Sequence, residues 1–161
     1  MHVSNTSTLI LLGKIDILTL LLDEIKKIAI PKIVYKEIKN KDSFEILLIE
    51  KEIKRNRIIL VDVDKKDYEF ALKQFKLDEG EAAAYALYKK IRGKAILTDD
   101  GELIKLCRIG DIPFITALAV IVMLYKKSKL SKKNALDNLD KLQSYGRYSD
   151  EIYNYFKSEV K

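Results

Sequence analysis

What most constrains this chain is a strict alternation: short runs rich in Ile and Val are each followed by a segment with helical spacing of apolar residues. The spacing predicts strands near 2–4, 27–30, 58–63, 94–98 and 113–115. Strands this short and this apolar need cover on both faces, and the intervening helices supply it. The expected fold is therefore a three-layer α/β/α sandwich around a central parallel sheet. No internal repeat, low-complexity tract or linker interrupts the pattern, so residues 1–161 read as one domain.

The helix signals are specific. Asn5-Thr6-Ser7 is a capping group ahead of Leu9 to Leu12, a run that stops at Gly13-Lys14. Leu18, Leu21, Leu22 and Ile25 mark a second helix, and Pro31 suits the first turn of a third that carries Ile33, Val34, Glu37 and Ile38. Ser43 opens a fourth, residues 65–76 form a fifth, and an alanine-rich helix runs from the Asp78–Glu81 region to Ile91 with Gly93 as its stop. Further helices are expected from Leu103 to Gly110, from Ala117 to Tyr125, from Ser131 to a stop at Gly146, and after Ser149.

Scarcity then narrows the chemistry. His2 is the one histidine and Cys107 the one cysteine, which excludes a disulfide framework, a zinc site built on His or Cys, and an ordinary Ser-His-Asp or Cys-His nucleophile. A lone cysteine fits a reducing cytoplasm, and neither a signal peptide nor a membrane helix is expected. Any reaction must run on carboxylates, amides, hydroxyls or lysines. The net charge of +6 favours a polyanionic partner, although an Ile-, Lys- and Glu-rich composition equally suits a thermophile surface laced with ion pairs.

Parallel sheets collect ligands at the carboxyl ends of their strands. Asn5 follows the first predicted strand, the Asp99-Asp100 pair follows the fourth, Glu81 stands at a helix start, and Glu37 lies in the helix after the second strand. Carboxylates crowded together repel, and a hard divalent cation such as magnesium or manganese relieves that repulsion. Such a cation polarises a phosphodiester and generates hydroxide, which points to phosphodiester hydrolysis. Each residue also has a purely structural reading. Asp78 and Glu81 stand at capping-box spacing, Asp99-Asp100-Gly101 makes a good turn, Asn5 is a helix cap, and Glu37 is a surface residue between lysines.

Five strings in order complete the pattern: Val3-Ser4-Asn5-Thr6-Ser7, Ile30-Pro31 through Glu37-Ile38, Asp78-Glu79-Gly80-Glu81-Ala82, Ile96-Leu97-Thr98-Asp99-Asp100, and Ile115-Thr116-Ala117 with the closing Tyr148 to Tyr153. Together they resemble the PIN domain, the fold of many metal-dependent ribonucleases and of VapC-type toxins, in its subgroup with a Gly-Glu-Ala motif. The resemblance implies a Mg2+- or Mn2+-dependent endoribonuclease with Asn5, Glu37, Glu81 and Asp100 at the catalytic centre, Asp99 contributing to metal binding, and Ser7 and Thr98 orienting ligands. It also implies an attacking water, a homodimer, and a cognate antitoxin as partner. Asn5 departs from the pattern, which has Asp there. An amide oxygen can still ligate magnesium, at the loss of one negative charge.

For substrate RNA the candidate cations are Lys54, Arg55 and Arg57 in one cluster, Lys126 to Lys133 in another, and Lys14 and Lys105 near the strand-end motifs. Asn5 motivates a rival reading, a catalytically weak PIN-like module that binds RNA or protein. A phosphoacceptor receiver domain opening at Ile96 is set aside, because too little chain follows Asp100 to complete that fold.

Overall fold

The computed structural model describes residues 1–145 and 148–161. Five strands, β1 (His2–Ser4), β2 (Ile28–Pro31), β3 (Ile58–Val61), β4 (Ile96–Leu97) and β5 (Phe114–Ile115), form one sheet in the order β3-β2-β1-β4-β5. Every pairing is parallel, with Val3 opposite both Ala29 and Ile96. The chain builds outward from β1 through β2 to β3, then returns to place β4 on the other side of β1. The crevice between β1 and β4 is thus the topological switch point, where sheets of this kind hold ligands.

Ten helices are described: α1 (Thr6–Lys14), α2 (Leu18–Ile25), α3 (Lys32–Ile38), α4 (Phe44–Lys54), α5 (Lys65–Gln74), α6 (Glu79–Ile91), α7 (Gly101–Ile109), α8 (Ala117–Lys126), α9 (Lys132–Ser144) and α10 (Asp150–Ser158). They sort onto the two faces through the period-two alternation of the strands. Ile28, Ile30, Ile58 and Leu97 face a core built with Leu9 and Leu12 of α1, Leu18 and Leu22 of α2, Ile49 of α4, Leu118 and Ile121 of α8 and Leu139 of α9. Val3, Ala29 and Ile96 face a second core with Ala71 of α5, Ala82 and Leu87 of α6 and Leu103 and Cys107 of α7. The three-layer α/β/α expectation is met. No helix among the described residues is long and apolar enough to cross a membrane.

Local differences from the sequence expectation have physical causes. Three strands are shorter at their ends than their apolar runs, because the sheet pairs Ile96–Leu97, Ile58–Val61 and Phe114–Ile115 alone. Helix α1 runs through Gly13, where a Cβ would meet the Glu45 side chain at ordinary contact distance, 3.4 Å. Pro31 is the last residue of β2 and precedes α3 in an extended conformation instead of occupying its first turn. Arg92, not Gly93, takes the left-handed position that ends α6 (φ 51°). Gly93 serves a close approach instead: a Cβ there would lie 2.9 Å from Tyr88 Cδ2 and 3.3 Å from the Met1 carbonyl oxygen. The stop expected at Gly146 lies outside the described residues.

Among the described residues one charged side chain is buried completely. Glu52 of α4 is inaccessible to solvent and receives Arg55 Nη1 at 3.0 Å and Arg57 Nε at 2.6 Å, while Arg57 Nη1 reaches Asp23 of α2 at 2.6 Å. This network ties α2, α4 and the entry to β3 together.

Candidate functional site

The carboxyl edge of the sheet is organised by an amide. Asn5 follows β1 with extended backbone and caps α1: its Oδ1 accepts from Thr8 N–H at 3.0 Å. Because the backbone N–H can only donate, that bond fixes the amide's orientation, and Nδ2 faces the opposite way. Nδ2 donates to Thr98 Oγ1 at 3.2 Å, across the β1–β4 crevice. The same hydroxyl oxygen accepts from Asp100 N–H at 3.1 Å, so Thr98, fully buried, joins the ends of β1 and β4.

The two aspartates after β4 do different jobs. Asp99 accepts from Ala117 N–H (3.0 Å) and Tyr148 Oη (2.6 Å) at Oδ1, and from Thr8 Oγ1 (3.4 Å) at Oδ2. It pins the starts of α1 and α8 and the segment before α10 to one point. Both oxygens of Asp99, expected as a metal ligand, are engaged in these structural bonds. Asp100 caps α7 through Oδ2, which accepts from Leu103 N–H at 2.8 Å, and its Oδ1 has no hydrogen bond among the described residues.

Glu81 completes a capping box at the start of α6. Its Oε2 accepts from Asp78 N–H at 2.7 Å, and Asp78 Oδ1 accepts from Glu81 N–H at 2.8 Å. Capping does not neutralise it. Burial is the largest influence on the Glu81 carboxyl; with the carboxylates of Asp78 and Asp100 nearby it outweighs the Asp78 N–H, and Glu81 is pushed up from 4.5 to about 7. Two carboxyls from different helices therefore feel each other at the switch point.

A cleft of about 450 Å³ opens there, lined by Asn5, Thr6, Ser7, Val34, Glu37, Ile38, Lys41, Asp78 and Glu81 among others. Ser7 and Glu37 are both exposed on its walls. The structure thus brings Asn5, Ser7, Glu37 and Glu81 to one cleft, with Thr98 and Asp100 bonded or electrostatically coupled to it. Among the described residues no three His, Cys, Asp or Glu side chains form a ready metal cluster. The donor chemistry of Glu37, Glu81 and Asp100, all carboxylate oxygens, fits a hard divalent cation. Asn5 turns its oxygen to the Thr8 cap and its nitrogen toward Thr98.

None of the candidate cations is among the residues that line the cleft. Arg55 and Arg57 are drawn into the Glu52 network, and with Lys54 they lie before β3, at the amino edge of the sheet opposite the cleft. Lys126 to Lys133 follow α8, whose first turn abuts Asp99, so a helix rising about 1.5 Å per residue carries them away from the site. Lys14 ends α1 with its Nζ 5.9 Å above the Tyr145 ring, and Lys105 pairs with Glu102 at 3.0 Å. The lysine that lines the cleft is Lys41. Sequence reasoning passed over it, although it stands four residues beyond Glu37. The bond from Tyr148 to Asp99 is likewise one that no spacing rule reveals.

Comparison with known families agrees with this arrangement. The family model DUF3368, described as a PIN domain, matches residues 1–161. No curated protein and no solved structure matches the chain. A match over the full length, on a parallel sheet whose carboxyl edge gathers acidic side chains at the switch point, leads to one conclusion: this chain belongs to the PIN-domain family, a fold generally devoted to divalent-metal nuclease chemistry.

Proposed function

We propose that the chain is a Mg2+- or Mn2+-dependent endoribonuclease, acting as the toxin of a toxin–antitoxin pair, with Glu37, Glu81 and Asp100 as the metal-holding residues. The observation that supports this is the gathering of Glu37 and Glu81 at one cleft beside the switch point, where burial, with smaller contributions from Asp78 and Asp100, raises the Glu81 carboxyl to about 7. A divalent cation held there supplies Lewis acidity toward the phosphodiester and lowers the pKa of a bound water. The chain's own residues do the rest. Glu81 Oε2 is held by the Asp78 amide, and a carboxyl titrating near 7 is able to take a proton from water and return it at neutral pH. Thr98 fixes the spacing of β1 and β4, Ser7 offers a hydroxyl on the cleft wall, and Lys41 offers a cation to substrate phosphate.

Asn5 favours a second reading, a PIN-like module that binds RNA or a protein partner without cutting. Cleavage of a structured RNA pool with Mn2+, with Mg2+ and with chelator separates the two. The nuclease predicts metal-dependent cutting that disappears in Glu81→Gln and Asp100→Asn, both of which keep their helix caps. Absence of cutting, or cutting that both variants retain, would favour the binding module.

A further inference from the structure

Asn5 is more than nine-tenths buried, and its Nδ2 carries two N–H groups. One goes to Thr98 Oγ1; the other has no acceptor among the described residues. Thr6 next to it lines the same cleft and is equally buried, and its Oγ1 has no hydrogen-bond partner among the described residues. Unsatisfied buried polar groups are costly, and they collect where a ligand or water supplies the missing bond. An unpaired N–H seeks an acceptor oxygen, whereas a cation is repelled by it. The free N–H of Asn5 therefore suits an anion's oxygen, and the Thr6 hydroxyl beside it is able to donate to the same anion, while Glu37, Glu81 and Asp100 suit a cation.

Resting on the metal-site reading above, we propose that Asn5 is a phosphate-binding donor and not a metal ligand, and that the site takes up its divalent cation together with a phosphate of the RNA. The few carboxylates available are short of a closed cation cage, and magnesium-type sites with one or two carboxylates complete their shell with substrate phosphate oxygens. A phosphate seated on Asn5 Nδ2 supplies that charge and those oxygens. Each ligand then strengthens the other by the same factor, as linkage requires. Cation occupancy follows substrate occupancy, so the empty enzyme gives up its metal readily.

The test is equilibrium binding of Mn2+ to the full chain, read from the electron paramagnetic resonance of free Mn2+, with and without adenosine monophosphate and corrected for protein-free mixtures. The wild type is expected to bind Mn2+ at least about fivefold more tightly when the nucleotide is present. Asn5→Asp keeps the Thr8 cap and adds a carboxylate oxygen where Nδ2 stands; it is expected to bind Mn2+ alone about tenfold more tightly and to lose the coupling. Asn5→Ser, which keeps a cap but removes the donor without adding charge, loses nucleotide binding without gaining metal. Mn2+ binding in the wild type that ignores the nucleotide, or an Asn5→Asp variant no tighter than wild type, would overturn the proposal. Glu81→Gln tests the underlying reading separately: if it binds Mn2+ as well as wild type does, the metal site itself is misassigned.

Discussion

The carboxyl of Glu81 makes the fold sensitive to pH in a direction opposite to that of most carboxylates. Its folded pKa is about 7 against an ordinary 4.5, so below pH 4.5 the group is neutral in both folded and unfolded chains and contributes no difference. Between those values the unfolded chain ionises and the folded one resists, so stability falls as pH rises and then stays reduced above 7. The full pKa difference would correspond to about 3 kcal/mol, and the partial exposure of Glu81 reduces this by solvent screening to about 1–2 kcal/mol. Urea unfolding in chelator, at pH steps from 4.5 to 8, should show wild type losing that amount relative to Glu81→Gln, whose amide does not titrate. Adding Mn2+ should recover the loss at pH 8 and little of it at pH 5, where protons compete for the same oxygens. A wild-type-minus-variant difference that is flat across this range would refute the burial and repulsion assigned to Glu81.

Four further outcomes are expected. Asp99→Ala removes the common acceptor of Thr8, Ala117 and Tyr148 and should destabilise by about 2–4 kcal/mol in chemical denaturation. Glu52→Ala removes the buried anchor of Arg55 and Arg57, though Arg57 keeps Asp23, and should cost about 1–3 kcal/mol, whereas Lys65→Ala, which breaks an exposed ion pair, should cost less than about 1 kcal/mol in the same assay. Gly93→Ala forces a methyl against Tyr88 and the Met1 carbonyl, and a lower Tm, equivalent to about 1–3 kcal/mol, should result. Lys41→Ala should raise the KM for RNA and flatten its salt dependence by about one charge, while Lys54→Ala at the far edge should leave both unchanged; equal effects would remove Lys41 from the substrate path.

Much of this architecture was legible because it follows from periodicity and capping chemistry. Strands rich in Ile and Val, and the caps at Asn5, Ser43, Asp78, Ser131 and Ser149, all stand where local rules put them. The carboxyl-edge rule singled out Asn5, Glu37, Glu81 and the Asp99-Asp100 pair, and the structure brings Asn5, Glu37 and Glu81 to one cleft. What local rules do not carry is orientation and distance. Spacing could not say that Asn5 turns its nitrogen inward, because that depends on which atom Thr8 claims. It could not distinguish Asp99 from Asp100, because the three donors that occupy Asp99 come from α1, α8 and the segment before α10. Charge counting also misled: Arg57 is cationic in sequence but committed to Glu52 in three dimensions.

The bond from Asn5 to Thr98 spans 93 residues of chain, and the bond from Tyr148 to Asp99 closes over a further 49. During synthesis from the amino terminus, β1 and β2 therefore emerge before β4, the other neighbour of β1, and the cleft lacks one wall until the segment through Glu81 has docked. A truncated or half-made chain carries residue 5 but no site. The candidate site is therefore a property of a chain folded across its length, not of its amino-terminal segment.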